Sequence, residues 1–101
     1  MSRSEYEERH AIFFRDHIEP LLKWLDASIL GHEYYYESFG SWFVRFERAG
    51  RRYSLIYDGR DFRLTVETPD QTEIAATEDL RNADLSFATK TIFEKFISLS
   101  E

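Results

Sequence analysis

Every second residue is apolar across most of the stretch from Ser41 to Glu67. Trp42, Val44 and Phe46 share one face, followed by Tyr53, Leu55 and Tyr57, and then by Phe62, Leu64 and Val66. This period of two predicts three antiparallel strands with one buried face. A two-residue turn at Ala49-Gly50 sets the first register: Phe46 opposite Tyr53, Val44 opposite Leu55 and Trp42 opposite Tyr57. On the other face the same register opposes Glu47 to Arg52 and Phe43 to Ile56. Asp58-Gly59 marks the second hairpin. A two-residue loop there brings Leu55 to Phe62, and a longer one brings Tyr57 to Phe62; the pattern permits both.

Thr68-Pro69-Asp70-Gln71 reads as a turn with proline where its fixed φ is already suitable. A weaker fourth strand is expected at Thr72–Ala76, at a sheet edge, because Ile74 is its only large apolar residue. The polar stretch that follows could hold one helical turn around Glu78–Asn82. Ahead of the meander, the tyrosine run favours a short strand at Glu33–Glu37.

Helical spacing takes over at both ends. Phe14, Ile18, Leu21, Leu22, Leu25 and Ile29 recur at intervals of three and four. Ser4 is the expected N-cap, with Glu5, Glu7 and Glu8 at the positive end of the dipole, and Gly31 the expected C-cap. Pro20 interrupts this segment, which is either one kinked helix or two that meet near it. Leu85, Ala88, Ile92, Phe93, Phe96 and Ile97 form the apolar stripe of a second helix, Leu85–Leu99, capped by Asp84 or Ser86.

Helices before and after an unbroken run of strands imply a two-layer α+β fold. It combines an N-terminal, proline-kinked helix, an antiparallel meander of four or five strands and a C-terminal helix, both helices on one sheet face. A meander cannot bury its own inner face, where each large side chain is worth roughly 1.5–3 kcal/mol. The two amphipathic helices are the elements available to cover it.

Composition fits this picture. The chain has 101 residues, 43% hydrophobic and 17% aromatic, which suits one packed domain spanning residues 1–101. Cysteine is absent, which removes disulfides and thiolate metal ligands. No apolar run approaches the ~18 residues of a membrane span, and the first ten residues lack a signal-peptide core. A cytoplasmic protein is expected. Nineteen acids against thirteen bases give a net charge of −6. That argues against nucleic-acid binding, which draws on Lys and Arg, and is compatible with a basic protein partner.

Signals for chemistry are few. There is no phosphate-binding glycine loop, G-x-S-x-G or H-E-x-x-H. His10 and His17 lie two turns apart on one helix, near the apolar stripe, and read as core-margin residues. Asp58 and Asp61 belong to turn chemistry. Phe43-Val44-Arg45-Phe46 overlaps the end of an RNA-recognition motif, but the residues before it do not match. No catalytic residue, cofactor or metal site is expected.

What remains is the outer face of the sheet, where Phe43 and Ile56 pair beside Arg45, Arg52 and Arg63. Aromatic residues with arginine are the composition of protein-binding hot spots. The expected function is therefore a non-catalytic protein-interaction domain, such as an inhibitor, adaptor or chaperone. Its partner would be another protein or a second copy of the chain, forming a dimer. The alternative is a small-molecule-binding or enzymatic domain, with a pocket between sheet and helices lined by Trp24, Trp42, Tyr53, Tyr57 and a histidine.

Overall fold

A computed structural model describes residues 1–80 and 84–100. In chain order it contains α1 (Arg3–Phe13), a π-helical turn (Phe14–Ile18), α2 (Glu19–Trp24), β1 (Ser28–Tyr35), β2 (Ser41–Arg48), β3 (Arg51–Asp58), β4 (Arg63–Glu67), β5 (Glu73–Thr77) and α3 (Leu85–Ser100). The strands form one antiparallel meander in the order β1-β2-β3-β4-β5. Both helical segments pack on its inner face, giving the expected α+β architecture. One core cluster joins Ile18, Leu22 and Leu25 to Val44, Phe46, Leu55, Leu64 and Val66, and to Ile92, Phe93 and Phe96. Phe46 meets the edges of Phe93 and Phe96, each with ring centroids 5.9 Å away. No helix among the described residues is long and apolar enough to cross a membrane.

The N-terminal helical segment is continuous, and Pro20 is accommodated just before its own position. The Glu19 N–H donates to the Phe14 carbonyl, five residues back, so the chain makes one wide turn. Proline lacks the N–H that Asp16 would otherwise receive and crowds that carbonyl. Widening the turn relieves both problems. It also changes which side chains face the sheet. Along a regular α-helix Ile18 would sit about 80° around from His10. The wide turn rotates less per residue, and His10, Ile18 and Leu22 are all buried.

The helix ends differ from the sequence reading. The N-cap is Ser2, not Ser4: Ser2 and Glu5 form a reciprocal capping box. The helix stops at Trp24, well short of Gly31. Asp26 takes a left-handed φ of 57°, its N–H donates to Lys23, and the Ala27 N–H donates to Leu22. This is a Schellman ending with aspartate in the position glycine usually fills. Gly31 and Ile29 instead lie in β1, which runs over Ser28–Tyr35 rather than Glu33–Glu37 and carries a bulge between Ile29 and Gly31.

The β2–β3 register is the expected one at every pair. Ala49 and Gly50, with φ of 54° and 78°, make the turn. At the next hairpin neither expected pairing occurs. Asp58 pairs with Arg63, so Tyr57 meets Leu64 and Leu55 meets Val66. Four residues form the loop because three local interactions fix it. The Asp58 carboxylate accepts from the Arg60 and Asp61 N–H groups, and Gly59 N–H donates to Ser41 Oγ at 2.9 Å. Phe62 adopts a φ of 53°, and its carbonyl accepts the Leu80 N–H. Phe62 thus leaves the strand and packs at the core's margin.

β5 lies one residue later than expected. Glu78–Leu80 forms no helical turn, and Arg81–Asn82, the remainder of that expected turn, lies outside the described residues. Leu80 is buried instead. α3 begins as expected, with Asp84 Oδ1 accepting the Ser86 N–H at 2.9 Å.

Two substitutions check these local arguments. Ala49→Asn should raise unfolding free energy by about 1 kcal/mol in urea denaturation, because asparagine tolerates the left-handed region that this turn imposes. Gly59→Ala should lower it by about 1–3 kcal/mol. A Cβ at Gly59 would lie 2.0 Å from the Phe39 carbonyl oxygen, a backbone atom with no freedom to swing away.

Candidate functional site

The outer face of the sheet is read directly from the strand register. β2 contributes Phe43, Arg45 and Glu47, β3 contributes Arg52, Ser54 and Ile56, and β4 contributes Arg63, Thr65 and Glu67, with Glu47 opposite Arg52. Phe43 opposes Ile56, Arg45 opposes Ser54, and Ser54 in turn opposes Glu67. Alternation places all of these opposite the core. Between the Leu30 bulge and the Pro69 turn, this face carries an open groove of about 640 Å³. Leu30, Ile56 and Pro69 give it apolar walls, with Arg45, Arg52 and Glu67 around them.

Three of the five expected residues, Arg45, Arg52 and Ile56, line this groove. Phe43 sits beside it, half-buried, with the Arg45 guanidinium 5.6 Å from its ring centroid and Tyr35 at 6.0 Å. Arg63 stands apart. Its guanidinium is held by Glu73 and, at 2.9 Å, by Glu78, on the side of the sheet towards β5.

Arg45 is positioned by what lies beneath it. A Cβ on Gly31 would approach the Arg45 Nη2 to 2.9 Å, so the missing side chain lets the guanidinium lie across β1. Among the described residues neither Arg45 nor Arg52 is held in an ion pair. The Glu67 carboxylate accepts a hydrogen bond from the Thr65 hydroxyl at 3.2 Å. The groove therefore offers two guanidinium groups against one carboxylate.

No protein-family model, curated protein or solved structure matches the chain. Its site must be judged on its own chemistry.

A second constellation lies at the junction of α1 and β1. His10 and His32 meet through their Nε2 atoms at 2.8 Å. Tyr34 stacks on His10 with ring centroids 4.4 Å apart, and Phe14 stacks on His32 at 3.9 Å. Burial, followed by repulsion from His32, lowers the His10 pKa from the usual 6.5 to about 4. Burial also lowers that of His32, while Glu33 and Glu19 oppose the effect. His17, paired with His10 in the sequence reading, is exposed.

The pairing with His32 is hidden from the sequence, where Gly31 carries the signature of a helix end. Once β1 begins at Ser28, His32 and Tyr34 fall opposite Val44 and Trp42, on the inner face. Among the described residues no three histidine or carboxylate side chains gather as a metal ion would require. Asp58 and Asp61 serve the β3–β4 loop, as their spacing suggested.

The packing of Arg45 over Gly31 has a direct consequence. Gly31→Ala should displace the guanidinium, a flexible group, and change unfolding free energy by less than about 1 kcal/mol. The Arg45 Nε resonance and urea denaturation would report the two effects separately.

Proposed function

We propose that this chain is a non-catalytic protein-interaction domain whose outer sheet face receives an acidic segment of a protein partner. The observation that carries the reading is the groove with Arg45 and Arg52 at its margin, uncommitted to ion pairs beside apolar Ile56, Leu30 and Pro69. A guanidinium retains hydrogen-bonding geometry suited to a carboxylate. Apolar surface next to such a group supplies area whose burial adds affinity. The preferred occupant is therefore a segment that presents Asp or Glu beside an aliphatic side chain.

This reading replaces the basic partner suggested by net charge alone. The whole chain is acidic, at −6, but the groove is not. Local charge governs contact at distances shorter than the screening length of ~8 Å at physiological salt. The alternative, a ligand pocket between sheet and helices, draws no comparable support. Trp24, one of its expected walls, is 66% exposed, whereas Trp42, Tyr53 and Tyr57 are packed into the core.

Peptide display against the purified chain tests the proposal. Selected peptides should be enriched in Asp or Glu adjacent to Leu, Ile or Val, and should shift the amide resonances of Leu30, Ser54 and Ile56. Arg45→Ala and Arg52→Ala should each weaken binding at least tenfold. Arg63→Ala, whose partner carboxylates lie outside the groove, should leave it within about twofold. Selection without acidic enrichment, or resonance shifts confined to another surface, would overturn the reading. So would concentration-dependent self-association through this face in sedimentation, which would make a second copy the occupant.

A further inference from the structure

We propose that the His10–His32 contact is a proton-operated clasp that holds α1 to the sheet at neutral pH and releases it on acidification. The inference begins with how little else attaches this helix. Within Arg3–Phe13 the only buried residue is His10. Phe13 is half-buried, with its ring centroid 5.9 Å from that of Trp42. The ion pair that leaves the helix from its first turn, Arg3 to Glu37 at 3.1 Å, joins two exposed side chains, a class of contact worth little in water. Tyr6 touches Tyr36 at the surface, centroids 5.6 Å apart. The anchor of α1 is thus a titratable ring.

The geometry of the contact admits one proton between the two Nε2 atoms. In the neutral pair one imidazole donates Nε2–H and the other accepts it. One added proton can be taken at an outer Nδ1, leaving that bond in place. When both rings are imidazolium, two Nε2–H groups point at each other across 2.8 Å, with aromatic rings on either side. No arrangement of the closed contact satisfies both donors.

The surrounding charges set the order of events. On β1, Glu33 and Tyr34 adjoin the pair, and Glu19 reaches it from α2. Glu7 on α1 acts on the Tyr34 hydroxyl. β2 contributes Trp42 to the His10 environment, which carries no charge. Glu33 and Glu19 favour a cation on His32. The first proton therefore settles on His32, and the second is forced onto His10.

The sign follows from linkage. The His10 cation is disfavoured while α1 is docked and ordinary once it is released, so the released form binds more protons between pH 6.5 and about 4. Docking is at full strength above that window and weakens as pH falls through it. The buried polar residues elsewhere among those described are Thr65 and Thr89, which do not titrate there. Release should consequently be local to α1, with the sheet and α3 remaining folded.

Hydrogen exchange on the full chain, read as protection factors at pH 7 and pH 4, tests this. Protection of α1 amides should fall at least tenfold more than that of α3 amides. His10 alone accounts for about 100-fold between the two pH values, from its displacement from 6.5 to about 4. In a His10→Phe, His32→Phe double variant, the extra loss on α1 should vanish. Parallel loss in α1 and α3 of the unmodified chain would overturn the proposal, and that measurement stands even if the variant does not fold. A double variant with the original pH response would overturn it as well.

Discussion

The inner face of the meander must be kept from water, and most of the structure follows from that requirement. Trp42, Val44, Phe46, Leu55, Leu64 and Val66 are almost completely buried, although an isolated sheet would leave them bare. At roughly 25 cal/mol for each Å² of apolar area, no arrangement that exposed this face could compete with the ordering entropy of the chain. α3 answers the requirement with Ile92, Phe93 and Phe96, and the N-terminal segment answers it with Ile18, Leu22 and Leu25. The two contributions are unequal at their margins. α3 sets the rings of Phe93 and Phe96 edge-on against Phe46 and Tyr53, whereas α1 reaches the sheet mainly through one imidazole.

Where a periodic pattern met a turn with a single solution, the sequence was enough. Ala49-Gly50 and the flanking alternation determine the β2–β3 register and, with it, the membership of both sheet faces. The failures have a common physical form. Asp26 ends the helix in a conformation usually assigned to glycine, while the real glycine downstream, Gly31, serves as a floor for Arg45. Phe62 adopts a left-handed φ that no apolar pattern announces, because its carbonyl is claimed by Leu80, far along the chain. In each case a contact with another element accompanies the departure from a local preference, at the helix end the Arg48 Nε–H donating to the Leu25 carbonyl at 3.3 Å.

The candidate site was legible to the same degree. Face membership is a matter of parity along a strand, so Phe43, Arg45, Arg52, Ile56 and Arg63 all lie on the outer side. Whether an arginine is free or engaged is not encoded in parity. Arg63 meets carboxylates from β5 and the segment after it, a pairing that depends on strand order. The histidine contact was hidden for a related reason. It joins residues far apart in sequence, and one of them belonged to a strand whose start lay inside the expected helix.

The wide turn before Pro20 gears the two ends of the N-terminal segment together. A proline ten residues along the chain from His10 determines the angle at which that imidazole leaves the helix axis. Residues 14–18 therefore behave less as a connector than as a spacer of defined phase. Restoring an N–H at position 20 so that the turn tightens would swing His10 towards solvent while leaving Ile18 and Leu22 seated in the core. The helix would remain a helix, and the core would remain packed. Only the relation between the two would be lost.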